Sequence, residues 1–287
     1  MFDFDIAWLW LVLMGFGTGI YGVLIGAGGG FIIGPLLLIF FDVEPVTVAG
    51  TVLALVAINS ISGTFAFRRM GTIDVRSGLL FAAAAIPGSV IAPFVVGSVT
   101  PGLFQLLFGV LLLVLALRLA TSSLDRVEAR EPDPDAKNRR FVGFMIKSRE
   151  IKSAEGGTYR YQFNETFATA FNVVLGFVSS FFGTGGGFLR TPVLVYSFGF
   201  PVQVAVATSI FTLAFYTTAG AITHAALGHV EFFPTFVFTG MGLVVGGQLG
   251  ARLTSRVKGK WILRLLLFVV LALGVKLLMQ GISDLIS

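Results

Sequence analysis

Two glycine clusters stand out as residues that could bind a ligand. "GAGGGFIIGP" begins at Gly26 and "GTGGGFLRTP" begins at Gly183, and each cluster places four glycines among five residues. Because glycine inside a helix costs about 1 kcal/mol relative to alanine, both clusters predict a break between two helices. The helix that restarts after such a break has unpaired N–H groups and the positive end of its dipole. The glycines expected to bind an anion there are Gly28, Gly29, Gly30, Gly185, Gly186 and Gly187.

Close helix packing is the alternative explanation of these glycines, since small residues let membrane helices approach each other. Each cluster is, however, followed by a phenylalanine and then a proline. A lone glycine would favour packing, whereas a duplicated four-in-five cluster with the same continuation favours a ligand site.

Arg190 is the most informative single residue. It is the only basic residue between Arg160 and Arg252, and it falls in the first turn of the helix expected after the second cluster. A basic side chain at membrane depth is costly and indicates a functional site, and its fork of donors suits an oxyanion such as a sulfonate or a carboxylate. The alternative is a shallower helix, from which Arg190 would reach a lipid headgroup.

Polar side chains in the segment after each cluster are further candidates. Thr51 and Thr208 occupy matched positions, Ser209 follows directly, and Asn59 is too polar to face lipid. Single hydroxyls of this kind more often bond to a neighbouring helix, but we expect these four residues to line the substrate site. Gln248 has a similar and weaker claim.

Enzymatic chemistry finds little support in the sequence. The chain has no cysteine, which excludes disulfides, iron–sulfur clusters and thiolate chemistry. Ser179 and Ser180 precede the second cluster, but there is no G-x-S-x-G elbow and no metal-binding cluster. His224 has no evident partner, and His229 falls in a loop where we expect it to be solvated. We therefore predict no enzyme activity, no cofactor and no metal.

The acidic residues do not suggest an intramembrane relay of protons or sodium. Those nearest the apolar runs map close to helix ends or loops, namely Asp42, Glu44, Asp74, Glu165, Glu231 and Asp284. A substrate that carries its own proton, or simple uniport, fits this distribution better.

The elements that must position these residues are membrane helices. Hydrophobic residues make up 55% of the 287 residues and charged residues only 12%, with a mean hydropathy of +0.91, whereas a soluble domain carries about 25% charge. Leu79–Gly97, Leu103–Ala120 and Ile262–Met279 reach membrane-spanning length. The chain is therefore expected to be an all-α polytopic membrane protein in a lipid bilayer. Its net charge of +5 does not indicate nucleic acid, because Lys and Arg gather in cytoplasmic loops.

The chain also contains an internal duplication. A shift of 157 residues makes 12 of the 49 positions between Gly26 and Asp74 identical without a gap. The predicted domains are a first membrane repeat at 1–120, a cytoplasmic linker at 121–163 and a second membrane repeat at 164–287. Within the linker, "REPDPD" at 130–135 is typical of a loop. "KSREIKSAEGGTYRYQFN" at 147–164 is equally compatible with a β-hairpin around the Gly-Gly turn and with a disordered loop.

The basic residues predict how the two repeats cross the membrane. Of the 20 basic residues, 18 lie in the segments 68–76, 118–160 and 252–264, which the positive-inside rule assigns to the cytoplasm. These segments share one face if each glycine cluster is the tip of a helical hairpin that precedes three transmembrane helices. Five helical segments per half would make the halves inverted-topology repeats, which are typical of secondary transporters. Unbroken glycine-bearing spans are the rival, and they would place the basic segments on opposite faces.

The paired motifs "GAGGGFIIGPLLL" and "GTGGGFLRTPVLV", followed by "VAGTVLAL" and "VATSIFTLAF", resemble the TauE/SafE sulfite exporter family of anion permeases. The resemblance covers both membrane halves and leaves out 121–163. It implies a multi-pass protein of the cell membrane that moves sulfite, a sulfonate such as sulfoacetate, or a related organic anion. The family's glycine motif maps to Gly26, Gly28–Gly30, Gly183 and Gly185–Gly187, and its threonine-bearing helix to Thr51 and Thr208.

We therefore predict a secondary transporter that binds a small oxyanion near the midplane, between the N-termini of two half-helices. An anion channel or a carboxylate transporter of the same architecture is the alternative. The sequence leaves the exact substrate, the direction of transport, the coupling ion and the existence of a homo-oligomer open.

Overall fold

The structure is a computed structural model that describes residues 4–40, 43–121, 146–154 and 156–286. In the first half the described helices are α1 (Phe4–Leu24), α2 (Gly30–Phe40), α3 (Pro45–Met70), α4 (Val75–Val96) and α5 (Pro101–Thr121). Strands β1 (Ile146–Lys152) and β2 (Thr158–Asn164) follow. The second half contains α6 (Glu165–Phe181), α7 (Gly187–Tyr196), α8 (Val202–Ala226), a π-helical turn (Phe232–Phe236), α9 (Val237–Thr254) and α10 (Gly259–Ile286).

Among the described residues, six helical segments are long and apolar enough to cross a membrane, which confirms the expectation of a helical polytopic membrane protein. They are Pro45–Met70, Val75–Val96, Pro101–Thr121, Val202–Ala226, Phe232–Thr254 and Lys260–Leu285. The helices α2 and α7, with 11 and 10 residues, differ from these. At 1.5 Å per residue each is only about 15 Å long, or about half of a 30 Å hydrocarbon core.

The chain reverses at both glycine clusters with the same backbone geometry. The N–H of Ala27 donates to the Gly22 carbonyl (2.7 Å), and the N–H of Thr184 donates to the Ser179 carbonyl at the matched position (3.0 Å). The glycines with positive φ also match, and they are Gly26, Gly28, Gly29, Gly183, Gly185 and Gly186. Only glycine adopts such angles without strain, so the clusters end one helix and begin the next.

Helices of the two halves pack against each other in exchanged pairs. Helix α1 of the first half lies along α9 of the second, and α4 of the first half lies along α6 of the second. In the same way α3 packs against α8, and α5 packs against α10. Small residues permit these close approaches. A Cβ at Gly88 would lie 2.6 Å from the Phe177 nitrogen, and a Cβ at Gly109 would lie 2.6 Å from the Leu278 nitrogen.

A two-stranded antiparallel β-hairpin, in which Arg149 pairs with Tyr161, lies over the ends of α3 and α4. The Ala154 N–H donates to the Met70 carbonyl at 2.9 Å, and the Tyr161 hydroxyl donates to Asp74 Oδ2 at 2.7 Å. These strands occupy the segment for which the sequence left a hairpin and a loop open. The loop predicted at 130–135 within the linker lies outside the described residues, as does Asp42.

The three basic segments approach one another on the face that the β-hairpin covers. A cavity of about 50 Å³ lies there, between the C-terminal end of α3, the β-hairpin, the start of α8 and the end of α9. Its lining residues include Met70, Ser153, Gln203 and Thr254. The ends of α3 and α9 and the β-hairpin therefore lie on one side of the protein.

Candidate functional site

The two glycine breaks meet at the centre of the protein. A Cβ at Gly30 would lie 2.8 Å from the Thr184 carbonyl oxygen, and a Cβ at Gly187 would lie 2.8 Å from the Ala27 Cα. The Phe31 and Phe188 rings, at the first turns of α2 and α7, stack with 5.4 Å between centroids. The N-termini of the two short helices are therefore adjacent.

Backbone N–H groups at these N-termini precede the first helical hydrogen bonds. In α2, Ile32 and Ile33 donate to the Gly29 carbonyl, and in α7, Leu189 and Arg190 donate to the Gly186 carbonyl. The amides just before these donors belong to the first turn, whose N–H groups have no intrahelical acceptor. Both breaks thus direct polar donors and a helix dipole toward the same region.

Val56 and Leu213 fill the space between the breaks in this conformation. They occupy matched positions in α3 and α8, and both are fully buried. A Cβ at Gly28 would lie 2.8 Å from Val56 Cγ1 and 3.5 Å from Leu213 Cδ1, and a Cβ at Gly185 would lie 3.1 Å from Leu213 Cδ2. A ligand that reached the N–H groups would have to displace these two side chains.

Three polar side chains hold the glycine carbonyls in place. The Asn59 amide donates to the Gly28 carbonyl at 2.9 Å, and the Tyr216 hydroxyl donates to the matched Gly185 carbonyl. The Ser209 hydroxyl donates to the Gly26 carbonyl at 2.8 Å. Asn59 and Ser209, which we expected to line the site, therefore contact the breaks directly. Tyr216 was not among the predicted site residues, although it matches Asn59 in the duplication.

Thr51 and Thr208 bond elsewhere. The Thr51 hydroxyl accepts the Glu231 N–H (2.8 Å), and the Thr208 hydroxyl accepts the Asp74 N–H (3.0 Å). Thr51 of the first half thus binds the residue just before the π-helical turn of the second half, and Thr208 of the second half binds the residue just before α4 of the first half. Gln248 bonds to the Ser62 carbonyl at 2.6 Å and faces α3.

Arg190 lies inside the protein with only part of its guanidinium satisfied. Its side chain is 1% exposed, Nε donates to Asn172 Oδ1 at 2.7 Å, and the guanidinium lies 4.8 Å from the centroid of the Tyr216 ring. Within the described part of the chain, neither terminal nitrogen of Arg190 has a hydrogen-bond partner. The shallow, headgroup-directed placement is therefore not what the structure shows.

Further buried polar atoms surround the second break. The hydroxyls of Ser179, Ser180 and Thr184 are buried and have no partner among the described residues. A Cβ at Gly186 would lie 3.0 Å from Ser179 Cβ and 3.4 Å from the Tyr216 hydroxyl. Buried polar groups are normally paired, so these hydroxyls are candidate contacts for a polar ligand. The sequence showed these hydroxyls beside the glycines, but we considered the two serines only as nucleophiles.

His224, for which the sequence shows no evident partner, is fully buried near the end of α8 and has two partners. Its Nε2 lies 3.2 Å from the Ser180 carbonyl oxygen, and its Nδ1 lies 3.2 Å from His229 Nδ1. His229 is half-buried rather than fully solvated, and this burial lowers its pKa. The loop that follows α8 turns back at Gly228, where φ is +79°, and this turn brings the two rings together.

Asp74 lies at a helix end, as predicted, but it is buried there in a polar network. Its carboxylate accepts the Ser77 N–H and hydroxyl and the Tyr161 hydroxyl, and it pairs with Arg149 at 3.5 Å. Burial, and secondly the neighbouring Asp74 charge, raise the pKa of Tyr161. Arg149 also pairs with Glu165, so this network fixes the β-hairpin to α4 and α6.

Comparison with known proteins agrees with this architecture. The model of the family described as "Sulfite exporter TauE/SafE" matches residues 11–277. "Probable membrane transporter protein YunE" of Bacillus subtilis is 32% identical over 279 residues, 95% of this chain and 97% of its own length. "Probable membrane transporter protein MJ0441" of Methanocaldococcus jannaschii is 25% identical over 275 residues, which are 90% of this chain and 91% of its own length.

A shorter match links the chain to a plant protein, and solved structures add nothing. "Sulfite exporter TauE/SafE family protein 6" of Arabidopsis thaliana is 28% identical over 94 residues, 33% of this chain and 22% of its own length. No solved structure gives a significant match. Because the family model covers nearly the whole chain and the full-length relatives are described as membrane transporters, this protein belongs to the TauE/SafE sulfite exporter family and is a membrane transporter rather than an enzyme.

Proposed function

We propose that the protein is a secondary transporter for a small sulfur or organic oxyanion, such as sulfite, sulfoacetate or another sulfonate. The observation that carries the proposal is Arg190, a fully buried cation with two terminal nitrogens that have no partner among the described residues. A buried charge is strongly disfavoured unless it is paired, so an anionic substrate would complete this site. A guanidinium fork matches the oxygens of a sulfonate or carboxylate.

The second break would supply the remaining donors. Gly187 is the first residue of the helix that carries Arg190, Gly186 is its N-cap and Gly185 directly precedes them. Ser179, whose hydroxyl has no partner among the described residues, packs against Gly186. In this proposal the amides of Gly29 and Gly30 approach the anion from the opposite side. The N–H of Gly28, which we expected to bind the anion as well, donates to the Gly22 carbonyl at 2.9 Å. The positive ends of both helix dipoles would then face one negative charge.

Asn59, Ser209 and Tyr216 would shape the site through the glycine carbonyls that they bind. The carbonyls of Gly28, Gly26 and Gly185 are held by these side chains, so the adjoining N–H groups keep a fixed direction. Thr51 and Thr208, which bind the opposite half, would act on how the halves move rather than on the ligand.

Inverted-topology repeats are the second part of the proposal. Two residue pairs support it: Thr51 with Glu231 and Thr208 with Asp74 are the same pair of repeat positions with the halves exchanged. The helix pairs α1–α9 and α4–α6 are exchanged in the same way, as an approximate two-fold axis requires. With three long helices after each hairpin, that axis would lie in the membrane plane.

Orientation and domain limits follow from the same arrangement. The face that carries the β-hairpin and the basic ends of α3 and α9 would be cytoplasmic by the positive-inside rule, and the membrane would be the plasma or inner membrane. The repeats would occupy 1–120 and 164–287, with the 121–163 linker in the cytoplasm. The channel alternative is not favoured, because the relatives are described as transporters.

Counterflow in proteoliposomes tests the proposed function. Vesicles loaded with unlabelled sulfite, sulfoacetate, toluenesulfonate, sulfate or acetate would be diluted into a trace of the same labelled anion. A transporter should show saturable uptake that the loaded anion accelerates, for one sulfur oxyanion above sulfate and acetate. Linear, non-saturable flux would support the channel, and no flux for any anion would overturn the proposal.

A further inference from the structure

His224 and His229 form a separate polar site at the end of α8 that lies away from the β-hairpin. They are the only two histidines in the chain, so they are the only side chains whose ordinary pKa lies near neutral pH. His224 is 0% exposed and His229 is half-buried. The matched positions of the first half hold Phe67 and Thr72, so this site exists in one half only.

The contacts of the pair fix which nitrogens carry protons. The Ser180 carbonyl can only accept, so His224 Nε2, 3.2 Å away, must be the donor. A neutral His224 then has an unprotonated Nδ1, which accepts from His229 Nδ1–H across 3.2 Å. Both hydrogen bonds are satisfied when the pair is neutral.

The same geometry accommodates one additional proton. The remaining ring nitrogen is Nε2 of the half-buried His229, and a proton added there leaves His229 Nδ1–H and its bond to His224 intact. That bond would become charge-assisted and stronger. A second proton, on His224 Nδ1, would oppose two N–H donors and break the pair. The arrangement therefore suits a charge of zero or one.

The histidine pair is attached directly to the second glycine break. The Ser180 carbonyl that accepts from His224 also accepts the Gly183 N–H, at 3.2 Å. Gly183 begins the break that leads to Gly187 and to Arg190 in the first turn of α7. The Ser180 carbonyl oxygen therefore connects the histidine pair to the glycine break, so a change in the charge of the pair can affect the position of the break.

Other ionisable groups on the surrounding elements are few. The loop itself supplies Glu231, whose carboxylate accepts the Thr235 hydroxyl, and α3 supplies Glu44 at its exposed beginning. Helices α4 and α6 contribute Ser89 and Ser180 near Gly220, while their ionisable residues lie at their opposite ends. Those residues are Asp74, Arg76 and Glu165.

We propose that the His224–His229 pair binds the proton that couples anion transport to proton movement. In the anion-free protein the pair is neutral, and when an anion occupies the Arg190 site the pair takes up one proton at His229 Nε2. The proton offsets the negative charge that enters the membrane, and by linkage each ligand raises the affinity of the protein for the other. This inference rests on the proposed anion site.

A proton fits the pair better than a metal ion. No group of three or more His, Asp or Glu residues that could hold a metal occurs in the described ranges, and two nitrogens alone make an incomplete set of ligands. The Nδ1–Nδ1 distance of 3.2 Å is that of a hydrogen bond, and the neutral pair leaves no donor of His224 unpaired.

Isothermal titration calorimetry in detergent measures the proton directly. The anion selected by counterflow would be titrated at pH 6.5 in buffers of different ionisation enthalpy, with and without EDTA. The slope of observed enthalpy against buffer ionisation enthalpy gives the number of protons taken up. We expect a positive slope, up to one proton per anion. The dissociation constant should rise as much as tenfold per pH unit between the pKa of the anion-free pair and that of the loaded pair, and should level off above the latter.

Two conservative variants and one control locate the uptake. His229→Asn keeps an amide donor near the Nδ1 position and His224→Gln keeps a donor near Nε2, but neither side chain titrates. His229→Asn, which removes the protonated ring, should bind the anion with a slope near zero. His224→Gln keeps His229 but loses the ring that accepts from it, so it should lower the slope, and Glu231→Gln should keep the wild-type slope. Because His229 is half-buried, its variant remains informative if His224→Gln fails to fold.

The outcomes separate this inference from the proposed function. No heat of binding for any anion in wild type would overturn the anion site itself. Binding with a slope of zero in wild type, or with an unchanged slope in His229→Asn, would overturn the proton site alone. Loss of the slope in Glu231→Gln would assign the proton to the carboxylate, and uptake that disappears with EDTA would assign the site to a metal. Both results would overturn the histidine proposal.

Discussion

Substitution of Arg190 by methionine gives the sharpest test of the anion site, because ligand binding and protein stability should respond differently. Methionine keeps much of the length and volume of the side chain and removes the charge. In the ligand-free protein, the substitution removes the two terminal nitrogens of Arg190, which have no partner among the described residues. Their desolvation penalty of about 1–3 kcal/mol each disappears, which stabilises the folded state by about 2–6 kcal/mol.

The interactions lost on the same substitution have a similar size. The Nε bond to Asn172 contributes about 1.5–3 kcal/mol, and the cation–π contact with Tyr216 about 1–2 kcal/mol. The two sides nearly cancel. We therefore expect the free energy of unfolding of the ligand-free Arg190→Met protein to stay within about 2 kcal/mol of wild type.

Anion binding should nevertheless be lost. Removing one member of a buried charge pair costs about 2–5 kcal/mol of binding energy, which is about 30-fold to several thousand-fold in Kd. At an anion concentration of 100 Kd, wild type gains about 2.7 kcal/mol of stability. After a 100-fold loss of affinity the same concentration would give about 0.4 kcal/mol. Thermal unfolding with and without the anion measures both quantities.

Two controls make the result decisive. Ile33→Met changes the buried position that matches Arg190 in the first half and should keep the anion-dependent increase in Tm. Arg190→Lys keeps the charge without the planar fork and should retain part of it. The reasoning is refuted if Arg190→Met keeps the full increase in Tm, or if it destabilises the ligand-free protein by more than about 4 kcal/mol, since the guanidinium would then be a structural group.

Three further predictions follow from the packing and the buried charges. Gly187→Ala should lower the Tm by several degrees, since its Cβ would lie 2.8 Å from the Ala27 Cα of the first break. Gly17→Ala, whose Cβ meets nothing within 4 Å, should not lower the Tm, and equal effects of the two variants would contradict close packing at the breaks. Asp74→Asn should loosen the β-hairpin, because the carboxylate pairs with Arg149 at 3.5 Å, and faster trypsin cleavage after Arg149 would measure this; an unchanged rate would count against it. The anion-free protein should lose stability as the pH falls below about 6.5, because burial lowers the pKa of His229 and the unfolded chain binds the proton first. Thermal unfolding of His229→Asn should show a flatter dependence of Tm on pH, and a steeper dependence would disprove this.

The membrane helices and the glycine breaks could be predicted because they depend on local composition. Apolar runs of spanning length need no knowledge of their neighbours, and four glycines among five residues cannot continue a helix cheaply. The duplication also allowed the two breaks to be matched. The β-hairpin was open at the sequence level, because its strands are polar and are held by distant partners such as Asp74 and Met70.

Side-chain partners at the site could not be predicted in the same way. Asn59 and Ser209 were expected at the breaks, but the sequence does not say that they bind the glycine carbonyls. Thr51 and Thr208 were matched correctly in the duplication, yet their acceptor role depends on how the opposite half packs. The histidine pair was missed because its members are five positions apart, and only the turn at Gly228 brings the rings together.

The two halves share a backbone design but differ in the chemistry of their side chains, and this difference bears on mechanism. The glycine turns, the Thr51 and Thr208 contacts and the exchanged helix pairs repeat in both halves. By contrast, Arg190 matches Ile33 and the histidine pair matches Phe67 and Thr72. In the proposed mechanism, a repeated backbone would let each half open in the same manner on its own side, and a single charged site would keep the number of bound anions at one. Transfer of the charge to the first half, by Ile33→Arg with Arg190→Ile, should therefore restore anion binding only if the matched surroundings also supply a partner. Because the matched partners there are Gly15 and Asn59 rather than Asn172 and Tyr216, we expect no recovery of binding in calorimetry, and full recovery would show that the breaks alone define the site.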